Sequence, residues 1–147
     1  MNTWRLILNS PANGAWNMAV DEAILEFAIK KTVPPTLRLF DWHPCTLSLG
    51  HAQPIADINL EELEKRGWRL VRRPTGGRAI LHTDELTYSI CAHQDNPIVS
   101  GNVIESYRRI SLGLLKTLEL IGINADSKPK IMSEKQLAAN PICFQYP

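Results

Sequence analysis

Residues 68–82, WRLVRRPTGGRAILH, constrain what this chain can fold into more than any other stretch. Trp68, Leu70 and Arg72 alternate with Arg69, Val71 and Arg73, and a period of two is that of a strand whose successive side chains face opposite ways. Pro74 removes a backbone donor and presets its own φ, whereas Gly76 and Gly77 open backbone angles closed to other residues and let a ligand approach the main chain. Ala79, Ile80 and Leu81 then resume an apolar strand, which His82 closes. Two readings fit this spacing. One is a pocket for an anion or a polar acyl carbonyl, with main-chain N–H groups and the Arg72 and Arg73 guanidiniums as donors. The other is an ordinary β-turn flanked by solvated arginines.

The chain before that stretch opens with a short apolar run, residues 4–8, stopped by Asn9, Ser10 and Pro11. Asn13 is a suitable cap for a helix over residues 15–31, which hold neither Pro nor Gly and carry Trp16, Val20, Ala23 and Phe27, with Ile24 and Ala28, at helical spacing. Asp21 and Glu22 sit on diverging faces of that helix, so a solvated or capping role is expected rather than paired acid–base work. Residues 36–40 and 45–50 flank the turn Asp41-Trp42-His43-Pro44 and read as a hairpin. Cys45 is expected to be a small core residue, with His43 and His51 in loops. Asn59 caps a short helix over residues 60–66 that Gly67 ends.

Past His82, residues 85–91 alternate, with Leu86, Tyr88 and Ile90 expected on a core and Glu85, Thr87, Ser89 and Cys91 on the polar side. Asn102, followed three residues later by Glu105, opens the longest helix as a capping box. Its stripe of Val103, Tyr107, Ile110, Leu114, Leu118 and Ile121 ends at Gly122 and reads as core. Residues 127–140 are polar and are expected to form a surface loop, and Ile142, Cys143 and Phe144 begin an apolar segment.

Short strands and two substantial helices without regular βαβ alternation predict an α+β domain with a mixed, largely antiparallel sheet packed with helices. With 147 residues, 44% of them hydrophobic and 21% charged, the chain suits one globular domain with a real core. A net charge of +1 without blocks of like charge argues against a nucleic-acid partner. No basic start with a cleavable apolar run and no membrane-length run is visible, so the cytoplasm is the expected location and no membrane is expected as partner. Cys45, Cys91 and Cys143 form no CxxC pair, which argues against a disulfide framework or a metal site.

The run from Arg72 through Pro74, Gly76, Gly77, Arg78 and Leu81 to His82, followed by Glu85-Leu86-Thr87-Tyr88-Ser89, resembles the signature of the lipoate–protein ligase A and octanoyltransferase family. Asn17-Met18-Ala19-Val20-Asp21-Glu22 and Ile142-Cys143-Phe144 resemble its other markers, in the same order. The resemblance implies the biotin/lipoyl protein ligase fold, related to class II aminoacyl-tRNA synthetase catalytic domains, with residues 1–147 as the N-terminal and central part of one catalytic domain. It also implies that a lysine-bearing strand follows the cysteine in the family. The chain stops at Pro147, before it, so the sequence is expected to be truncated, a fragment, or completed by another chain.

Two activities are open within that family. ATP-dependent ligases, which use ATP and Mg to activate lipoate, carry a third glycine where this chain has Arg78; octanoyltransferases read TGGRA, as here, need no such cofactor, and use a cysteine where Cys143 falls. The resemblance therefore implies octanoyl-acyl carrier protein as donor, a thioester on Cys143, and a lipoyl domain such as the glycine-cleavage H protein as acceptor. It assigns Arg72, Arg73, Gly76, Gly77, Arg78, Ala79, Ile80, Leu81 and His82 to the acyl-binding segment. His82 is expected to support or wall the pocket rather than act as general base. A binding module that keeps the fold without catalysis is a third reading.

Overall fold

The computed structural model describes residues 3–125, which divide between Ala92 and His93 into two compact units. The first holds six strands: β1 (Arg5–Leu8), β2 (Thr36–Phe40), β3 (Thr46–Leu49), β4 (Arg69–Arg72), β5 (Ile80–His82) and β6 (Thr87–Cys91). They form two three-stranded mixed sheets, one ordered β1-β2-β6 and the other β4-β3-β5. In each sheet the central strand pairs in parallel on one side and antiparallel on the other.

The hairpin expected between residues 36–40 and 45–50 is not formed. β2 and β3 belong to different sheets, each already paired on both edges by strands distant in sequence. The intervening segment, which contains a cis His43-Pro44 peptide, is held instead by residues before the first helix: Ala12 N–H donates to Asp41 O and His43 N–H to Ala12 O. Backbone groups that a hairpin would satisfy locally are thus satisfied by Ala12, about thirty positions earlier in the chain.

Helix α1 (Gly14–Ile29) begins at Asn13, whose side chain accepts from Trp16 N–H as expected. Its buried side keeps Ile24 and Ala28 of the predicted stripe but is turned away from Trp16, Ala23 and Phe27. Gly14, Asn17, Met18, Ile24 and Ala28 are buried, while Trp16 and Phe27 are about half exposed. The rotation brings Asn17 and Asp21 over β2, where the fully buried Arg38 donates to Asn17 O, Asn17 Oδ1 and Asp21 Oδ1 at 3.0, 2.8 and 2.9 Å. Asp21, expected in a solvated or capping role, is the counter-ion of a buried cation. At the helix start, a Cβ on Gly14 would lie 2.8 Å from Thr46 Cγ2 and 3.0 Å from Val71 Cγ1, so α1 also rests on β3 and β4. Met18, Phe40 and Trp42, with Val71 against them, form the apolar cluster.

The inward face of β6 is the reverse of the one predicted. Cys91 is 6% exposed and Leu86 72%; Ser89 Oγ donates to Asp21 Oδ1 at 2.7 Å. The register sets Thr36 beside Cys91 and Arg38 beside Ser89 under α1, and sets Leu37 beside Ile90 and Leu39 beside Tyr88 on the opposite face. Polar side chains are buried there because each finds a partner, which removes most of the penalty that normally keeps them outside.

Helix α2 (Leu60–Lys65) is capped by Asn59, and the chain leaves it through Gly67 at φ 68°. In the second unit, α3 (Val103–Leu120) opens with the expected capping box between Asn102 and Glu105 and is followed by Gly122 at φ 81°. Arg109 Nε donates to Ile98 O at 3.1 Å, and its Nη2 to Ser100 O, tying the preceding loop to the helix. Among the described residues, none of α3 is buried: of the stripe read as core, Ile110 and Leu118 are half-buried and Val103, Tyr107, Leu114 and Ile121 are exposed. The surface loop read over residues 127–140 and the apolar segment with Cys143 lie outside the described residues. Among the described residues no helix is long and apolar enough to cross a membrane.

Candidate functional site: an arginine-clamped glycine loop over strand β3

Strand β4 delivers Arg72 and Arg73 to the start of the glycine loop, and the two guanidiniums anchor its two sides. Arg72 Nη1 donates to Gly50 O, His51 O and Gln53 O at 2.8, 3.0 and 2.7 Å. Arg73, 9% exposed, donates through Nη1 to Ser48 O and Ser48 Oγ at 2.9 and 3.1 Å and through Nη2 to Gly76 O and Arg78 O at 2.8 and 2.7 Å. A guanidinium has only donors, in a planar fork, so Arg73 gathers the loop's carbonyls on its own side and leaves the loop's other surface outward. The forks read from sequence as donors to a ligand thus hold main chain.

The loop also meets the end of β3. His51 N–H donates to Thr75 O at 2.9 Å, and a Cβ built on Gly50 would collide with Gly77 O. Only glycine permits that approach. Gly77 itself takes φ 90°, a conformation that other residues adopt only under strain. Between these two backbones lies an open cleft of about 530 Å³ lined by His51, Gln53, Asp57, Pro74, Gly77 and Arg78 among others. Gln53 Oε1 is buried beside it without a hydrogen-bond partner among the described residues.

Of the residues singled out from sequence, Arg72, Gly76, Gly77 and Arg78 are exposed around this loop, Ala79, Ile80 and Leu81 are half-buried, and His82 and Arg73 are buried. Arg73 and His82 meet through Ser48: Ser48 Oγ is 2.7 Å from His82 Nε2. His82 Nδ1 lies 2.5 Å from Glu85 Oε1, and its ring stacks on Trp42 with centroids 4.0 Å apart. Sequence reasoning missed Ser48, Gly50 and the cleft residues 51–57; the one available signal was a serine inside the otherwise apolar end of β3. Cys143 lies outside the described residues. Burial foremost, then the charge of Asp21, pushes the Cys91 thiol up to about 11, so Cys91 is a poor nucleophile near neutrality. Among the described residues no three His, Cys, Asp or Glu side chains gather as metal ligands.

Residues 13–144 match the family model of the lipoyl protein ligase A/B catalytic domain. The chain is 44% identical over its whole length to octanoyltransferase LipM of Brevibacillus brevis, covering 55% of that protein, and 42% identical over 99% of its length to octanoyltransferase LipM of Bacillus subtilis, covering 54%. Among solved structures, protein Ta0514 of T. acidophilum, a candidate lipoate protein ligase, superposes with a TM-score of 0.75 at 25% identity, over 95% of this chain and 55% of that one. A lipoate-protein ligase A bound with ATP superposes with a TM-score of 0.73 at 25% identity, over 88% of this chain and 51% of that one.

The mixed sheets, the clamped glycine loop and these matches define a lipoyl-ligase-type catalytic domain, and the chain belongs to the lipoyl protein ligase A/B catalytic-domain family. Within that family, the Brevibacillus and Bacillus relatives are octanoyltransferases. The chain spans about half the length of the curated relatives it matches.

Proposed function

We propose that this chain is the N-terminal and central part of an octanoyltransferase that moves an octanoyl group from acyl carrier protein to a lysine of a lipoyl domain, such as the glycine-cleavage H protein, through a thioester on Cys143. The observation that carries the reading is whole-length identity above 40% to octanoyltransferases in a chain that has Arg78 rather than a third glycine after Gly76 and Gly77. In the first step the Cys143 thiolate attacks the octanoyl carbonyl, the carbon–sulfur bond to the donor's thiol breaks, and that thiol departs with a proton. In the second, the acceptor lysine amine attacks the new thioester, an amide forms and the Cys143 thiol is released. Exchange between two thioesters costs little, so a covalent relay frees the first carrier before the second docks.

The glycine loop and its neighbours Ala79, Ile80 and Leu81 are the proposed acyl-binding segment, where each buried methylene contributes about 0.8 kcal/mol. Arg73 acts in that reading by holding the loop carbonyls. The transfer needs no metal or nucleotide, and the proposed location is the cytoplasm.

Incubation with octanoyl-acyl carrier protein followed by mass spectrometry tests the proposal. An octanoyl adduct is expected on the wild-type protein and not on Cys143→Ser, and Arg73→Ala is expected to load weakly. An undiminished adduct in Cys143→Ser would overturn the thioester. An ATP-dependent lipoate ligase is the second reading, favoured by the match to a ligase A bound with ATP; it is supported instead if ATP, Mg and lipoate release pyrophosphate. Carrier binding with neither product would indicate a non-catalytic module.

A further inference from the structure

A chain of side chains runs beneath the glycine loop, and its hydrogen bonds can be oriented one by one. Arg73 Nη1 donates to Ser48 Oγ at 3.1 Å, and a guanidinium can only donate. Among the described residues the Ser48 hydroxyl proton then has one partner left, His82 Nε2 at 2.7 Å. An Nε2 that accepts puts the imidazole proton on Nδ1, facing Glu85 Oε1 at 2.5 Å. From the other side, the Trp42 indole N–H, a donor only, reaches Thr87 Oγ1 at 2.7 Å, and the Thr87 hydroxyl donates to the same Glu85 Oε1 at 2.8 Å. With the His82 ring neutral, every proton has one direction, and both branches end on the Glu85 carboxylate. Trp42, stacked at 12° to the His82 ring, fixes the plane in which that ring must lie.

The order hydroxyl, imidazole, carboxylate is that of a Ser-His-Glu nucleophile relay, but Ser48 is 0% exposed and its oxygen already accepts from Arg73. It cannot attack a substrate. What the relay does reach is Arg73, whose second terminal nitrogen holds Gly76 O and Arg78 O.

We infer that Ser48, His82 and Glu85 are positioning residues: the Nδ1–H tautomer of His82, set by Glu85, aims Ser48 Oγ at Arg73 and so fixes the outward shape of the glycine loop. Glu85 and Thr87 thereby act on the loop from the far end of the relay, without lining the cleft. Only the assignment of the loop to the acyl donor rests on the function proposed above.

The test is made on the whole 147-residue chain. Long-range ¹H–¹⁵N spectra of wild type are expected to show His82 protonated at Nδ1 and bare at Nε2; the opposite tautomer would overturn the relay. Ser48→Ala and Glu85→Ala are expected to speed amide exchange over residues 75–79 roughly tenfold, about the loss of one hydrogen bond's local stability, with the β2 amides unchanged. Glu85→Gln, whose amide oxygen can still accept both bonds, is expected to restore protection. Unaltered loop exchange in a folded Ser48→Ala chain would sink the inference, and a variant that fails to fold leaves the wild-type tautomer to decide. If octanoyl transfer is measurable, the Ala variants are expected to raise KM for the acyl donor more than they lower kcat. Absent transfer by wild type would count against the proposed function and leave the exchange result standing.

Discussion

Arg38 is a fully buried cation whose side chain is engaged at each of its three nitrogens: Asn9 Oδ1, Asn17 O, Asn17 Oδ1 and Asp21 Oδ1 accept from it, and its guanidinium lies 4.0 Å from the Phe40 ring centroid. Removing one partner of such a set leaves charge without compensation in a poorly polarisable interior. Asp21→Asn is therefore expected to cost about 3–5 kcal/mol in urea unfolding; a loss within about 0.5 kcal/mol, the range of ordinary surface changes, would show that the pair is not stabilising. Cys91 lies against the same network. Its thiol keeps its proton in the folded state up to about 11 against an ordinary 9.0, while the unfolded chain releases it earlier. The contribution to stability is thus intact below the ordinary value and declines as pH rises from there to about 11. Native protein at neutral pH is expected to leave Cys91 unlabelled by iodoacetamide, and Cys91→Ala is expected to flatten the alkaline fall in unfolding free energy.

Strands and helices were legible to different degrees, for a physical reason. Asn13, Asn59 and the Asn102–Glu105 box were readable because a cap bonds backbone within one helical turn. The pairing of β2 and β3 was not, since proximity in sequence suggests a hairpin and only the sheets supply the competing partners. The same holds for β6, whose buried face is chosen by a bond between Ser89 and Asp21, 68 positions apart. Gly50 is a third case: nothing beside it in sequence requires glycine, yet the loop at Gly77 O does. Gly50→Ala is expected to push the loop away from β3 at a cost of about 1–3 kcal/mol, visible as lowered thermal stability and faster exchange over residues 75–79. Asn102→Ala is expected to cost about 1 kcal/mol, read as faster exchange in the first turn of α3.

Over the whole molecule, the clamped loop, the relay and the cleft all fall in the unit Met1–Ala92, while the proposed nucleophile is Cys143. A chain ended at Ala92 that keeps slow exchange over residues 75–79 is therefore expected to form no octanoyl adduct, although it retains Cys45 and Cys91; an adduct on it would remove Cys143 from the mechanism. The sequence by itself determined the helix N-caps, the bend at Gly76 and Gly77 and the family, because these depend on neighbours a few residues apart or on a motif that is itself contiguous. Only the tertiary structure decided which face of each strand is inward and what Arg72 and Arg73 hold. Polarity predicts exposure only for a group without a partner at depth, and for Arg38, Arg73 and His82 those partners arrive from other elements of the fold.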